Sequence, residues 1–121
     1  MKHILITDDD EFLINMYKLS LQEIEDASIE TAEDGQKAID KIDQHQPDVL
    51  ILDLLMPGVN GYDVMHHIRK KGYTFPVIVL TNVSSEKGQQ LCAEMGAKDY
   101  FNKSSMDLEK LMALVKRSIE H

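Results

Sequence analysis

The chain has 121 residues, 43% of them hydrophobic, and a formal charge of −8 at pH 7. That length fits one domain around one core, and that apolar share argues against disorder. The acidic balance argues against nucleic-acid binding through a basic surface.

Apolar runs alternate with helix-period segments along the whole chain. Residues 4–7 read as a buried strand built on Ile4, Leu5 and Ile6. Residues 10–24 read as a helix whose apolar side is Phe12, Leu13, Met16, Tyr17 and Leu19. Residues 28–32 form a short strand with apolar/polar alternation, which suits a sheet edge. Residues 35–45 form a helix with Ala38, Ile39 and Ile42 inward, stopped by Pro47. The second buried strand, 49–53, runs Val49, Leu50, Ile51, Leu52 and closes on Asp53. A helix over 62–71 carries Val64, Met65 and Ile68 and ends at Gly72. Pro76 opens a third buried strand, 77–81. Residues 85–95 make a weaker helix with Gly88 and little apolar surface, ended by Gly96. A strand follows over 99–102, then a helix over 107–119 with the stripe Leu108, Leu111, Met112, Val115, Ile119.

Five strands alternating with five helices define an α/β domain with a parallel sheet and helices on both faces. The first, third and fourth strands are the most continuously apolar, so they belong in the centre. The arrangement expected is a single flavodoxin-like (βα)5 domain of strand order 2-1-3-4-5. Cys92, the one cysteine, cannot form an internal disulfide and reads as a small buried apolar residue. No basic start precedes an apolar leader, and no apolar run is long enough to span a bilayer, so a soluble cytoplasmic protein without a membrane partner is expected. With no linker, repeat or second domain in view, residues 1–121 read as one domain with no output domain.

A carboxylate at the tip of a buried strand is a costly placement. The first strand ends in Asp8, Asp9 and Asp10, and the third of the five in chain order, 49–53, ends in Asp53. In an open parallel sheet, ligands bind beyond the carboxyl ends of the strands where the strand order reverses, here between the first and third. Topology alone therefore gathers Asp8, Asp9 and Asp53. Crowded carboxylates raise one another's pKa unless a cation intervenes, and an all-oxygen set suits Mg²⁺. Thr81 and Lys103 end the fourth and fifth strands and join the same rim. Each residue also has a plain reading. Asp10 caps the first helix, Asp53 could be an Asx-turn residue before Pro57 and Gly58, Thr81 could cap a helix, and Lys103 could be a solvated lysine. Taken singly those readings compete; four strand ends carrying reactive groups together do not look accidental. Gly58 and Gly61 are read as turn geometry. His66 and His67 are adjacent on a helix and make a poor metal pair.

In this order and spacing the residues resemble the receiver domain of two-component response regulators. The segments carrying the resemblance are Ile4 to Asp10, Asp48 to Gly61 with its Asp53-Leu54-Leu55-Met56-Pro57-Gly58, Pro76 to Thr81, and Gly96 to Lys103. The resemblance implies that Asp53 is the phosphoacceptor. It implies that Asp8, Asp9 and Asp53, with the backbone carbonyl of Leu55, hold Mg²⁺, Asp9 being the direct ligand of the acidic pair. Thr81 matches the switch hydroxyl, Tyr100 the switch aromatic and Lys103 the phosphate-contacting lysine. The implied phosphodonor is a phosphohistidine on a sensor histidine kinase or phosphotransfer protein. The implied reader is a downstream protein target, reached through the surface of the fourth helix, fifth strand and fifth helix. Such a domain catalyses only its own phosphoryl transfer and dephosphorylation and is not a turnover enzyme. A glycine-rich Walker loop is absent from the sequence, so ATP is not the expected donor.

Several positions near the site bear on how closely the family pattern is followed. Ser104 stands where proline in a cis bond is usual; a retained cis Lys103–Ser104 bond is expected here, at about 3–4 kcal/mol, because the lysine must reach the phosphate. Asn82 replaces a small residue after Thr81 and could narrow access or contact the phosphate. Leu55 and Val83 are apolar beside the site and would hinder an attacking water, giving a slowly hydrolysed phosphoryl group. Rival readings are weaker. A haloacid-dehalogenase-type phosphatase needs a second acid where Leu55 stands, and Asp8 to Asp10 would repel the phosphate of a flavin. A phosphorylation-independent pseudo-receiver is the alternative function, hinted at by Asn82 and Ser104 alone.

Overall fold

The computed structural model describes residues 1–82 and 85–120. Five parallel strands, β1 (Lys2–Thr7), β2 (Ala27–Ala32), β3 (Val49–Leu52), β4 (Val77–Thr81) and β5 (Asp99–Asn102), form one sheet in the order β2-β1-β3-β4-β5. The helices are α1 (Glu11–Leu21), α2 (Gly35–Gln44), α3 (Gly61–Lys71), α4 (Glu86–Glu94) and α5 (Leu108–Ile119), with a 3₁₀ turn over Lys103–Ser105. None of these helices is long and apolar enough to cross a membrane. The strand order and the two-sided helix cover are those expected from the alternation of buried runs and helical segments.

Successive residues of a strand face opposite ways, and the central strands supply both cores. Ile4, Ile6, Val49, Ile51, Ile78 and Leu80 face α1 and α5, where Ile14, Tyr17, Leu21, Leu111, Leu114, Val115 and Ile119 meet them. Leu5, Leu50, Leu52, Val77 and Val79 face the other way, onto Ala38 and Ile42 of α2, Val64, Met65 and Ile68 of α3, and Cys92 of α4. Each fully buried Leu or Ile contributes roughly 1.5–3 kcal/mol, so this double burial is what holds the strand tips in place. Each α-helix begins at a capping side chain whose oxygen accepts a backbone N–H of the first turn: Asp10, Asp34, Asn60, Ser85 and Asp107. At α3, Asp63 reciprocates Asn60 in a full capping box.

The structure differs from the sequence reading at several points. Helix α1 stops at Leu21 rather than at residue 24, and its inward residues are Ile14, Tyr17 and Leu21. Phe12 and Leu19 are 71% and 69% exposed. An apolar residue count over one helix does not fix which stripe turns inward when nearly the whole circumference is apolar. In α5 the same kind of shift brings Leu114 into the core and leaves Leu108 at the exposed margin. The third strand ends at Leu52, so Asp53 lies just beyond the ladder. Strand β2 is an edge strand, yet most of its residues are half-buried and no alternation results. The 3₁₀ turn after β5 has no signal in the apolar pattern.

At the end of the sheet opposite the acids, His3 of β1 is buried and stacks on His45, with ring centroids 4.6 Å apart. Its backbone N–H donates to Asp48 (2.7 Å), and its ring Nδ1 lies 3.1 Å from Ser28 Oγ. Burial is the first cause holding the His3 pKa below the ordinary histidine value. His45 and Lys41 add to that, while Glu30 and Asp48 oppose it. A base with a depressed folded pKa binds fewer protons folded than unfolded. Its contribution is therefore intact above about pH 6.5 and lost as the pH falls through the lower folded value. The urea midpoint of the wild type is expected to fall between about pH 7 and about pH 5.5, above the carboxylate range, and a His3→Gln variant should show a shallower pH slope over the same interval.

Candidate functional site

Thr7 and Leu52 are paired neighbours at the ends of β1 and β3, so the residues after them stand side by side. The sheet's hydrogen bonding continues one step further. The Asp53 N–H donates to the Thr7 carbonyl (3.0 Å), and the Asp8 N–H to the Ala32 carbonyl (3.2 Å). Both acids thus have backbones fixed by the sheet. Asp8 is 2% and Asp53 4% exposed, whereas Asp9 is open to solvent. One carboxylate oxygen from each of Asp8, Asp9 and Asp53 lies within 4.8 Å of the other two, the one such acidic or ligand cluster among the described residues.

Lys103 reaches into this cluster from the turn after β5. Its Nζ donates to Asp8 Oδ2 at 2.7 Å and lies 3.3 Å from Asp53 Oδ2. The other Asp8 oxygen accepts the Asp10 N–H (2.9 Å), and Asp53 Oδ1 takes a long contact from the Leu55 N–H (3.4 Å). Asp10 is the helix cap expected of it, accepting from Phe12 and Leu13. Thr81, at the end of β4, is fully buried. Tyr100 of β5 is half-buried against the core on the α2–α3–α4 side.

Electrostatics follow from this packing. Burial pushes the Asp53 carboxyl above its ordinary value; Lys103 works against that and Asp8 adds to it. For Lys103, burial acts to lower the pKa, but its hydrogen bond and charge pairing with Asp8, then Asp53, outweigh burial and hold it above the ordinary lysine value. Three acidic side chains stand against one ammonium, which leaves the site short of positive charge. An all-oxygen set with that deficit matches a hard divalent cation, so the residues present fit a divalent metal.

The segment after Asp53 is clamped. Leu54 and Met56 are buried and Leu55 between them is 56% exposed, so two anchors fix the Leu55 backbone. The Leu54 carbonyl accepts the Gly61 N–H at 3.0 Å. A Cβ on Gly61 would sit 2.4 Å from the Asp53 carbonyl oxygen, and one on Gly35 would sit 2.1 Å from the Val59 carbonyl oxygen. Gly58 is a turn residue with φ +71°, as read from sequence, but Gly61 is a close-approach glycine: α2 and α3 both press on residues 54–59 through a missing side chain. Tyr17 is also closer to the site than its assignment to the core suggested. Burial raises its hydroxyl pKa, with Lys103 opposing and Asp8, Asp53 and Asp10 adding. Nothing in the helical period distinguishes such a tyrosine from ordinary core.

The Lys103–Ser104 bond is trans, contrary to expectation. Asn102 accepts the Ser104 N–H (2.8 Å) and hydroxyl (2.6 Å), closing the 3₁₀ turn that carries Lys103. A proline has no N–H to give at that position. The turn aims the lysine at both acids without the cis bond. Asn82 is exposed beside Thr81, and Val83 lies outside the described residues.

The family model for the response regulator receiver domain matches residues 4–116. The chain is 31% identical over 120 residues to the alkaline phosphatase synthesis transcriptional regulatory protein PhoP of Bacillus subtilis, covering 97% of this chain and 50% of PhoP. It thus spans about half the length of that curated relative. Among solved structures, the Francisella response regulator 1452 receiver domain is similar at TM-score 0.90 and 25% identity, covering 98% and 97% of the two chains. The BeF3-activated DrrB receiver domain is similar at TM-score 0.88 and 29% identity, covering 100% and 99%. Vibrio cholerae CheY4 is similar at TM-score 0.85 and 28% identity, covering 98% of each. The chain belongs to the response regulator receiver domain family. It is a phosphoacceptor signalling domain of the two-component type.

Two substitutions test this geometry. Lys103→Met leaves two buried carboxylates facing each other and is expected to cost about 3 kcal/mol in urea unfolding, with part of the loss restored by a divalent cation. Gly61→Ala drives a methyl group into the Asp53 carbonyl and should destabilise by roughly 1–3 kcal/mol while weakening divalent-cation affinity in calorimetric titration.

Proposed function

We propose that Asp53 accepts the phosphoryl group, with Asp8, Asp9, Asp53 and the Leu55 carbonyl holding Mg²⁺, and Lys103, Thr81 and Tyr100 acting on the product. One observation carries the reading: the buried Asp53 carboxylate lies against both Asp8 and Lys103 at the strand ends. A bound divalent ion would offset repulsion between the acids and an incoming phosphoryl group, and would balance charge on its oxygens.

The remaining chemistry belongs to the chain. Asp53 must be ionised to attack phosphorus, and burial works against ionisation, so Lys103 and the cation oppose that cost. As the new P–O bond forms, the bond to the donor breaks. Charge spreads over the three outer phosphoryl oxygens, within reach of the Lys103 ammonium. The product is an acyl phosphate, a high-energy species. A phosphohistidine on a sensor kinase or phosphotransfer protein is the matching donor, its nitrogen being the leaving atom.

Reading of the phosphoryl group falls to Thr81 and Tyr100. Thr81 ends β4 and Tyr100 lies on the neighbouring β5, where Val79 pairs with Tyr100 and Thr81 with Asn102. Movement of Thr81 toward the phosphoryl group opens space for Tyr100 and changes the α4–β5–α5 surface that a downstream protein would read. That α4 buries only Gly88 and Cys92 supports an element held loosely enough to move.

The test is Mg²⁺-dependent labelling by a small acyl phosphate. Wild type should label on residue 53, and Asp53→Asn should fall to background; equal labelling of the two would remove Asp53 from its role. Because the folded Asp53 pKa is raised, its ionisation costs stability as the pH rises through that value. Asp53→Asn is therefore also expected to raise the urea midpoint at neutral pH without added cation, and to lose the stabilisation that Mg²⁺ gives the wild type.

A further inference from the structure

Helix α4 turns a narrow face to the domain. Its buried residues are Gly88 and Cys92, one turn apart. The tightest approach is at Gly88. A Cβ placed there would lie 2.8 Å from Ser85 Oγ, 3.1 Å from Tyr62 Oη and 3.4 Å from Tyr100 Oη. Two tyrosine hydroxyls from different elements, α3 and β5, thus converge on one notch in a third element. Both tyrosines are half-buried and pack on the same core as Cys92. Ser85 closes the notch from the helix side, its Oγ accepting the Gly88 N–H at 2.9 Å. Burial raises both tyrosine hydroxyls, and for Tyr100 the nearness of Tyr62 is the next contribution, so neither is ionised near neutrality.

Tyr62 is fixed through its own helix. It sits in the first turn of α3, directly after Gly61, in the helix fixed by the Asn60–Asp63 capping box and by close contact with the Asp53 backbone. Tyr100 lies on the outer strand β5.

We propose that Tyr62 is a positioning residue for the switch: its hydroxyl shares the Gly88 notch with that of Tyr100, fixing the resting seat of Tyr100 and, through it, the hold on α4. The proposal rests on the reading of Tyr100 as the moving aromatic. Glycine at 88 keeps the notch open: an added Cβ would press on Ser85 Oγ and crowd Tyr62 Oη, with Tyr100 Oη at contact distance. Withdrawal of Tyr100 then takes its oxygen from the notch beneath α4 and leaves that of Tyr62 in place.

The experiment is a double-mutant cycle on the full chain with Tyr62→Phe, Tyr100→Phe and both together. Amide exchange over α4 is measured with and without Mg²⁺ and beryllofluoride, and labelling of residue 53 by an acyl phosphate is followed in parallel. Tyr62→Phe should leave labelling at the wild-type level and speed α4 exchange in the resting protein by roughly two- to tenfold, the span of one hydroxyl's net interactions. The same change should have little effect when Tyr100 is already Phe, and little effect in the beryllofluoride state, because the shared seat is then already broken. A general packing role would instead speed exchange equally in both states. Equal fold-changes in both backgrounds overturn the role of Tyr62 while leaving the switch intact. Wild-type α4 exchange that beryllofluoride does not move overturns the switch reading, and the role of Tyr62 with it.

Discussion

The Asp8–Lys103–Asp53 contact is the constraint around which the rest is arranged. Two carboxylates this deeply buried repel each other and lose hydration, each a cost of several kcal/mol if left uncompensated. The sheet nevertheless fixes both backbones through the Thr7 and Ala32 carbonyls, so the acids cannot drift apart to relieve it. One ammonium spans them, at 2.7 Å and 3.3 Å, and leaves a net negative charge on the rim. The unequal distances matter. Lys103 is the closer partner of Asp8, so the burial cost at Asp53 is offset across the longer of the two contacts.

That imbalance explains why so much of the surrounding structure is backbone control. Gly61 and Gly35 allow two helices to bear on residues 54–59, and buried Leu54 and Met56 pin the chain on either side of Leu55. On the far side, Asn102 and Ser104 shape the short turn from which Lys103 projects. Asp53, the Leu55 carbonyl and the Lys103 ammonium are thus held by a mixture of sheet hydrogen bonds, buried neighbours, close-approach glycines and one side-chain-capped turn.

The architecture was legible because β1, β3 and β4 are buried on both faces and so read as uninterrupted apolar runs, with a carboxylate or hydroxyl at each tip. Asp8, Asp9, Asp53, Thr81 and Lys103 followed from topology once those runs were ordered. What the sequence did not disclose is three-dimensional in origin. The inward stripe of α1 was misjudged because Phe12 and Leu19 are apolar yet exposed, and only the position of the sheet distinguishes them from Ile14 and Leu21. Gly61 resembles a turn glycine in sequence; its close approach to Asp53 needs coordinates. The Lys103–Ser104 bond was expected cis from the family pattern, but a local Asn102–Ser104 hydrogen bond, absent when proline follows the lysine, provides another way to aim the side chain. Tyr17 and Tyr62 look like filler in any periodic reading, since what marks them is where the hydroxyl ends.

The capping residues carry one further implication. Asp10 takes up the N–H groups of Phe12 and Leu13 at the start of α1, the helix that opens beside the acids. A helix beginning is ordinarily an attractive resting place for an anion, through its free amides and the positive end of its dipole. Here a carboxylate already occupies that place and adds its own repulsion. An oxyanion approaching the first turn of α1 therefore meets a carboxylate where it would otherwise meet free amides.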